Sequence, residues 1–146
     1  MNQGRFAWSR GGRRRFGSVE GVEVQFDEVA RPTIVDRGGL GDLPARGRFW
    51  IHPERGTVLR SETSFRFEVD GVRSARAFVA TEYRPEPKLA MWVPAEMREE
   101  YEDLPVASIR TFGSRTEATA RYGGFRRFTV TTEEEAHVPA EEPVLR

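Results

Sequence analysis

The sequence contains no cysteine. Disulfide bonds, thiolate nucleophiles and cysteine-ligated metals are therefore excluded for this chain. Lys88 is the single lysine among 23 basic residues, and all the others are arginines. The two histidines, His52 and His137, lack the spacing that metal ligands need. The sequence therefore predicts a protein without a metal site or other cofactor.

Long apolar runs are absent as well. No stretch approaches the roughly 18–20 consecutive apolar residues that a membrane-spanning helix needs. The 23 basic and 23 acidic residues give a net charge of zero, which disfavours affinity of the whole domain for nucleic acid. The first 17 residues contain arginines but no apolar central region, so no export signal is predicted.

Motifs for the common catalytic chemistries are missing from the sequence. There is no Gly-x-Ser-x-Gly elbow for a serine nucleophile. The glycine cluster at 38–41 is not followed by the Lys-Ser/Thr of a phosphate-binding loop. The acidic cluster at 96–103 is more typical of a solvated face than of a catalytic carboxylate pair. The sequence therefore favours a protein that is not an enzyme.

The composition divides the chain into three regions. Residues 1–17 carry five arginines, four glycines and no acidic residue, which predicts a flexible basic arm. Residues 133–146 carry five glutamates and two prolines, which predicts a disordered acidic tail. Between them, residues 18–132 have the length of one domain.

Short apolar runs within this central region predict β-strands. Residues 22–26 alternate apolar and polar side chains, as in a strand with one buried face, and 33–35 is predicted to extend that strand. The sequence Pro-Glu-Arg-Gly at 53–56 predicts a tight turn, because proline suits its first central position and glycine the left-handed one. The turn joins predicted strands at 48–52 and 57–69.

A second hairpin is predicted around Asp70-Gly71, which is a strong signal for a two-residue turn. Such a turn makes 72–83 the return strand and places Thr63 directly opposite Phe78.

The remaining segments complete an all-β prediction. Residues 89–104 fit an alternating strand pattern and a helical stripe almost equally, and strand is favoured. A hairpin is predicted from 116–122 and 125–132, which Gly123-Gly124 joins, with Phe128 facing one side. The sum is an antiparallel meander of about six to eight strands.

Large apolar side chains are numerous for a domain predicted to have little helix. A one-sided sheet covers such side chains by forming an ordinary core, by holding an apolar ligand or by pairing with another protein. The predicted ligand-binding residues of this apolar face are Phe49, Ile51, Phe65, Phe67, Phe78, Met91 and Val93.

Several segments resemble one known family. Residues 47–60, with the pattern strand, His52-Pro53-x-x-Gly56, strand, are similar to a hairpin of bacterial outer-membrane lipoprotein-sorting (lipoprotein carrier-like) domains and their uncharacterised relatives. Further similar segments lie at 26–33, 83–85, 89–97 and 120–128. The resemblance covers about residues 22–132.

The resemblance implies a curved antiparallel sheet, an unclosed half-barrel that in the carriers wraps a helix or lipid chains. It also implies a periplasmic or other cell-envelope location. Family members have an export signal and further N-terminal strands where this chain has its arginine-rich start, so the chain resembles the C-terminal part of such a protein. The expected function is a non-enzymatic binding domain that holds lipid or a lipidated partner, such as a lipoprotein, on a concave apolar sheet face.

Two other interpretations stay open. The chain could be a structural or protein-interaction module that self-associates through its sheet edges. Arginines beside aromatic residues at 13–16 and 125–128 are typical of single-stranded nucleic-acid binding. The acidic tail and the zero net charge make nucleic acid the less favoured partner.

Overall fold

The fold is known from a computed structural model that describes residues 2–35, 42–69, 73–104 and 113–128; of 67–69, 73, 74 and 104 it describes the backbone only. Within these ranges, a single-turn 3-10 helix, Gln3–Arg5, precedes seven strands. These are β1 (Phe6–Phe16), β2 (Val19–Glu28), β3 (Ala45–Ile51), β4 (Val58–Val69), β5 (Arg73–Glu86), β6 (Met91–Leu104) and β7 (Arg115–Arg121).

The strands form one antiparallel sheet in the order of the chain, β1 to β7. The sheet is curved and unclosed, with β1 and β7 at its two edges. The predicted all-β class, a curved antiparallel meander with an open half-barrel shape, is confirmed.

The sheet has two chemically different faces, because neighbouring side chains of a strand point to opposite sides. Directly paired residues share a face, so the register shows on which face of the sheet each side chain lies. The apolar face carries Phe6, Trp8, Val22, Val24, Phe26, Phe49, Ile51, Phe65, Ala77 and Val79. The charged face carries Arg46, Arg48, Arg60, Glu62, Arg76, Glu82, Glu96, Arg98, Glu100 and Glu102.

Phe26 is the centre of an aromatic cluster on the apolar face and is 6% exposed. Its ring stacks on Phe49 at a centroid distance of 5.1 Å. Phe6 meets the same ring edge-on at 5.6 Å, and Trp8 approaches it at 5.9 Å. Three neighbouring strands thus contribute rings to one cluster, which joins the edge strand β1 to the sheet.

Trp50 is buried on the opposite, charged side of the sheet, where it is 3% exposed. The guanidinium carbons of Arg48, Arg14 and Arg60 lie 4.8, 5.5 and 6.0 Å from its ring centroid. Phe16 packs against the indole at 5.8 Å. Cation–π contacts and the arginine stems therefore cover a tryptophan on a face that is mostly charged.

Residues 6–16 correct the prediction of a flexible basic arm at 1–17, because they form the paired strand β1. The apolar alternation that includes Trp8 packs this strand onto the sheet. A register shift between Arg10 and Arg13 takes up the Gly-Gly pair between them as a β-bulge, so these glycines do not end the strand.

The predicted extension of the second strand at 33–35 is also wrong, because this segment lies in the connection between β2 and β3. The buried Glu28 organises the segment. Its carboxylate accepts hydrogen bonds from the backbone N–H of Ile34 at 2.7 Å and of Ala45 at 3.2 Å. A side chain therefore satisfies backbone donors that strand pairing would otherwise satisfy.

The predicted tight turn at 53–56 is confirmed. The N–H of His52 donates to the carbonyl of Thr57 at 2.8 Å, and the chain turns between these residues. Gly56 has a φ of +65°, a left-handed conformation that favours glycine.

The hairpin of β4 and β5 has a different register from the predicted one. Thr63 lies opposite Val79, not Phe78, and the ladder closes with Val69 opposite Arg73. Three residues instead of two therefore separate the paired positions. Since side chains alternate with a period of two, this shift of one residue moves Phe78 to the charged face.

The C-terminal predictions have mixed outcomes. Residues 91–104 form β6, so strand is correct for the ambiguous segment. Residues 122–128 are not in a strand, and Phe128 is 88% exposed, so the predicted return strand is wrong over 125–128. The rest of that predicted strand, 129–132, and the predicted acidic tail, 133–146, lie outside the described residues.

Candidate functional site

An open cleft of about 410 Å³ lies on the apolar face near the β1 edge. Its lining is mostly apolar and consists of Gln3, Trp8, Val24, Phe49, Ile51 and Val58. The cleft draws on four neighbouring strands and on the 3-10 helix. Its size lies within the range of about 300–1,000 Å³ that is usual for small-molecule sites.

Trp8 forms one wall of the cleft, and 47% of its surface is exposed. Its indole N–H donates to the carbonyl oxygen of Gln3 at 3.1 Å, which fixes the polar end of the ring. Phe6 and Phe49 approach the ring at 5.7 and 6.5 Å. The exposed ring is therefore held in place by packing, and a ligand would meet a preformed apolar wall.

The aromatic rings that pack against one another on the apolar face come from β1, β2 and β3. Towards the other edge, the same face presents Thr81, Met97, Glu99 and Tyr101, and none of these residues lines the cleft. The cleft is therefore narrower than the predicted ligand face, which extended across to β6.

The structure brings only part of the predicted ligand-binding set together. Phe49 and Ile51 line the cleft. Phe65 shares their face, opposite Ala45, outside the residues that line the cleft. Phe67 continues that register, but its side chain lies outside the described residues.

The other three predicted residues lie elsewhere. Phe78 is on the charged face, beside Arg60 and Arg98. Met91 and Val93 lie near the start of β6, where Met91 is exposed and Val93 is buried. Neither of these β6 residues lines the cleft.

Sequence reasoning missed Trp8, Val24 and Val58 as lining residues. The alternation of Phe6 and Trp8 with the small residues Ala7 and Ser9 was a usable signal, but the glycines and arginines that follow obscured it. No local signal places Val58 beside Trp8, because that proximity depends on the pairing of four strands.

The charged face contains a chain of ion pairs centred on the buried Glu62. Glu62 accepts hydrogen bonds from Arg48 at 2.8 Å and from Arg60 at 2.9 Å. Arg48 also lies 3.6 Å from Glu23, and Arg60 pairs with Glu82. The hydrogen bond to Glu62 raises the pKa of Arg48, and burial opposes this effect. These pairs hold Trp50 covered and act as a structural network.

Within the described ranges, no group of three or more histidine, aspartate or glutamate side chains could hold a metal ion. Among those same residues, no helix is long and apolar enough to span a bilayer.

Comparison with known proteins gives no relative: no family model, no curated protein and no solved structure matches this chain. The resemblance to lipoprotein carriers therefore stays a prediction.

Proposed function

We propose that this protein is a non-enzymatic binding domain that holds the hydrocarbon chain of a lipid, free or attached to a protein, in the cleft beside Trp8. The observation that carries the proposal is the cleft itself, where an ordered aromatic wall stays exposed. Burying such a surface under an acyl chain would gain about 25 cal/mol per Å² of apolar area removed from water.

The chemistry of the lining supports a hydrocarbon ligand over a polar one. Val24, Phe49, Ile51 and Val58 offer no hydrogen-bonding side-chain atoms, and the indole N–H of Trp8 is already bonded to Gln3. A polar ligand would lose its hydration there, and among these lining residues only the side-chain amide of Gln3 could offer it new hydrogen bonds. A location in the cell envelope, which the resemblance implies, belongs to the same proposal.

Saturable binding of a dansyl-labelled fatty acid, with a neutral long-chain alcohol as competitor, tests this function. Phe49→Ala and Phe78→Ala are a matched pair, because they remove the same group from opposite faces of the sheet. We expect Phe49→Ala to weaken binding by about tenfold or more, roughly 1.4 kcal/mol, while Phe78→Ala leaves it unchanged.

Thermal unfolding of both variants shows that each is folded at the assay temperature. Equal loss of binding in the two variants, or no saturable binding by the unchanged protein, would contradict the proposal.

The competing function is a protein-interaction module, because β1 and β7 leave strand edges unpaired in the described sheet. Arginines along β1 and at both ends of β7 disfavour pairing of like edges. Sedimentation velocity separates the two functions, since a mass that rises with concentration and no bound fatty acid would favour the interaction module.

A further inference from the structure

We propose that the β1 edge docks this protein on an anionic lipid bilayer, so that the cleft opens at the level of the lipid headgroups. The inference rests on the proposed lipid-binding function and names the surface from which the ligand would be taken or to which it would be delivered.

The first observation is the order of side chains along β1. Trp8, Arg10, Arg13 and Arg15 all lie on the apolar side of this edge strand, because their ladder partners Phe26, Val24, Val22 and Glu20 share that face. The bulge between Arg10 and Arg13 preserves this alignment. The edge therefore presents one exposed indole followed by a row of guanidinium groups.

The second observation is the balance of charge on this part of the face. Over β1–β3, the exposed acidic residue on the apolar side is Glu20, which pairs with Arg13 at 2.7 Å. Arg10 and Arg15 make no ion pair with any side chain among the residues placed by the structure. The rim of the cleft therefore has a local excess of positive charge, although the whole chain is neutral.

The third observation is that the basic row is continuous with the cleft. Arg10 lies directly opposite Val24, and Val24 and Trp8 both line the cleft. Tryptophan favours the interface between headgroups and hydrocarbon, and arginines favour anionic headgroups. A bilayer satisfies both preferences at once, whereas a nucleic acid would use the arginines and leave the aliphatic side of the cleft unmatched.

Cosedimentation with vesicles tests the inference. The two probes are vesicles of phosphatidylcholine alone and vesicles in which about a third of the lipid is phosphatidylglycerol. We expect the protein to sediment with the anionic vesicles only, and to be released as the ionic strength rises and the Debye length falls from about 10 Å to about 3 Å. Brominated acyl chains are expected to quench the fluorescence of Trp8. The part of the quenching that is absent in Trp8→Phe is the part that comes from this residue.

The arginine dependence is tested with a matched pair of double variants. Arg10→Gln with Arg15→Gln removes two charges from the β1 edge, and Arg84→Gln with Arg98→Gln removes two exposed charges from β5 and β6. We expect the first variant to bind anionic vesicles about 30-fold more weakly and the second to bind as the unchanged protein does.

Three results would overturn the inference: equal binding to neutral and anionic vesicles, equal loss in both double variants, or tighter binding to a single-stranded oligonucleotide at the same salt concentration. The outcome is distinguishable from that of the proposed function. If the protein binds fatty acid but not vesicles, the proposed docking surface is wrong and the proposed cleft function stands. If it binds vesicles through its arginines but does not bind fatty acid, the proposed cleft function is wrong and the docking surface stands.

Discussion

Phe26 and Gly47 lie directly opposite each other on β2 and β3, and the phenylalanine ring extends over the glycine. A β-carbon placed on Gly47 would lie 2.9 Å from Cζ of Phe26 and would overlap the carbonyl oxygen of Glu62. The central ring of the aromatic cluster therefore depends on the absence of a side chain at position 47.

Gly47→Ala is expected to lower the free energy of unfolding by about 1–3 kcal/mol, because the strand and the ring cannot both keep their positions. Urea denaturation followed by circular dichroism measures the change. Gly123→Ala is the control, since a β-carbon there meets no atom within 4 Å, and its effect should stay within about 0.5 kcal/mol. Equal stability of the two variants would contradict the close approach at Gly47.

Glu28→Ala is expected to lower the free energy of unfolding by about 2–4 kcal/mol, because the backbone N–H groups of Ile34 and Ala45 both lose a buried, charged acceptor. Asp27→Ala removes the neighbouring carboxylate, whose pair with Arg46 is exposed and 3.5 Å long. That control should change stability by less than about 1 kcal/mol. Chemical denaturation of both variants measures the two losses of unfolding free energy. A smaller loss in Glu28→Ala than in Asp27→Ala would refute the role of Glu28.

The Arg48–Glu62 pair is expected to show a coupling energy of about 1 kcal/mol in a double-mutant cycle of alanine variants. The hydrogen bond is charged and its acceptor is buried, but Arg48 is half exposed and solvent screens the pair. The exposed Arg46–Asp27 pair serves as the reference, with an expected coupling near zero.

The same coupling should be unchanged between roughly pH 7 and roughly pH 10. The pKa of Arg48 is raised in the folded protein, so its stabilising contribution persists below the ordinary arginine pKa and fades only as the pH rises through the raised value. A coupling that falls between these two pH values would contradict this assignment.

The β4–β5 register can be tested with cysteines, because the chain has none of its own. Thr63→Cys with Val79→Cys places two thiols directly opposite each other on one face and should form a disulfide under mild oxidation. Thr63→Cys with Phe78→Cys directs the thiols to opposite faces and should stay reduced. Non-reducing electrophoresis after proteolysis between the strands measures both, and the reverse result would restore the register predicted from the two-residue turn.

Much of the fold could be predicted from the sequence because its signals are local. The Pro-Glu-Arg-Gly turn at 53–56 and the apolar alternation around Phe26 each depend on a few consecutive residues. The candidate site was harder to predict from the sequence. Phe49 and Ile51 lie on a clearly patterned strand, but Trp8 lies beyond a glycine pair that looked like a break and proved to be a bulge.

The sequence by itself determined that the chain forms antiparallel strands in a meander, since alternation and turn chemistry act over only a few residues at a time. Only the tertiary structure decided which face each side chain occupies. The turn between Val69 and Arg73 has one residue more than the predicted two, and this shift places Phe78 on the charged face. On the same face, three arginines from separate strands cover Trp50. Both outcomes depend on the register between strands, which is set by the cooperative packing of distant residues.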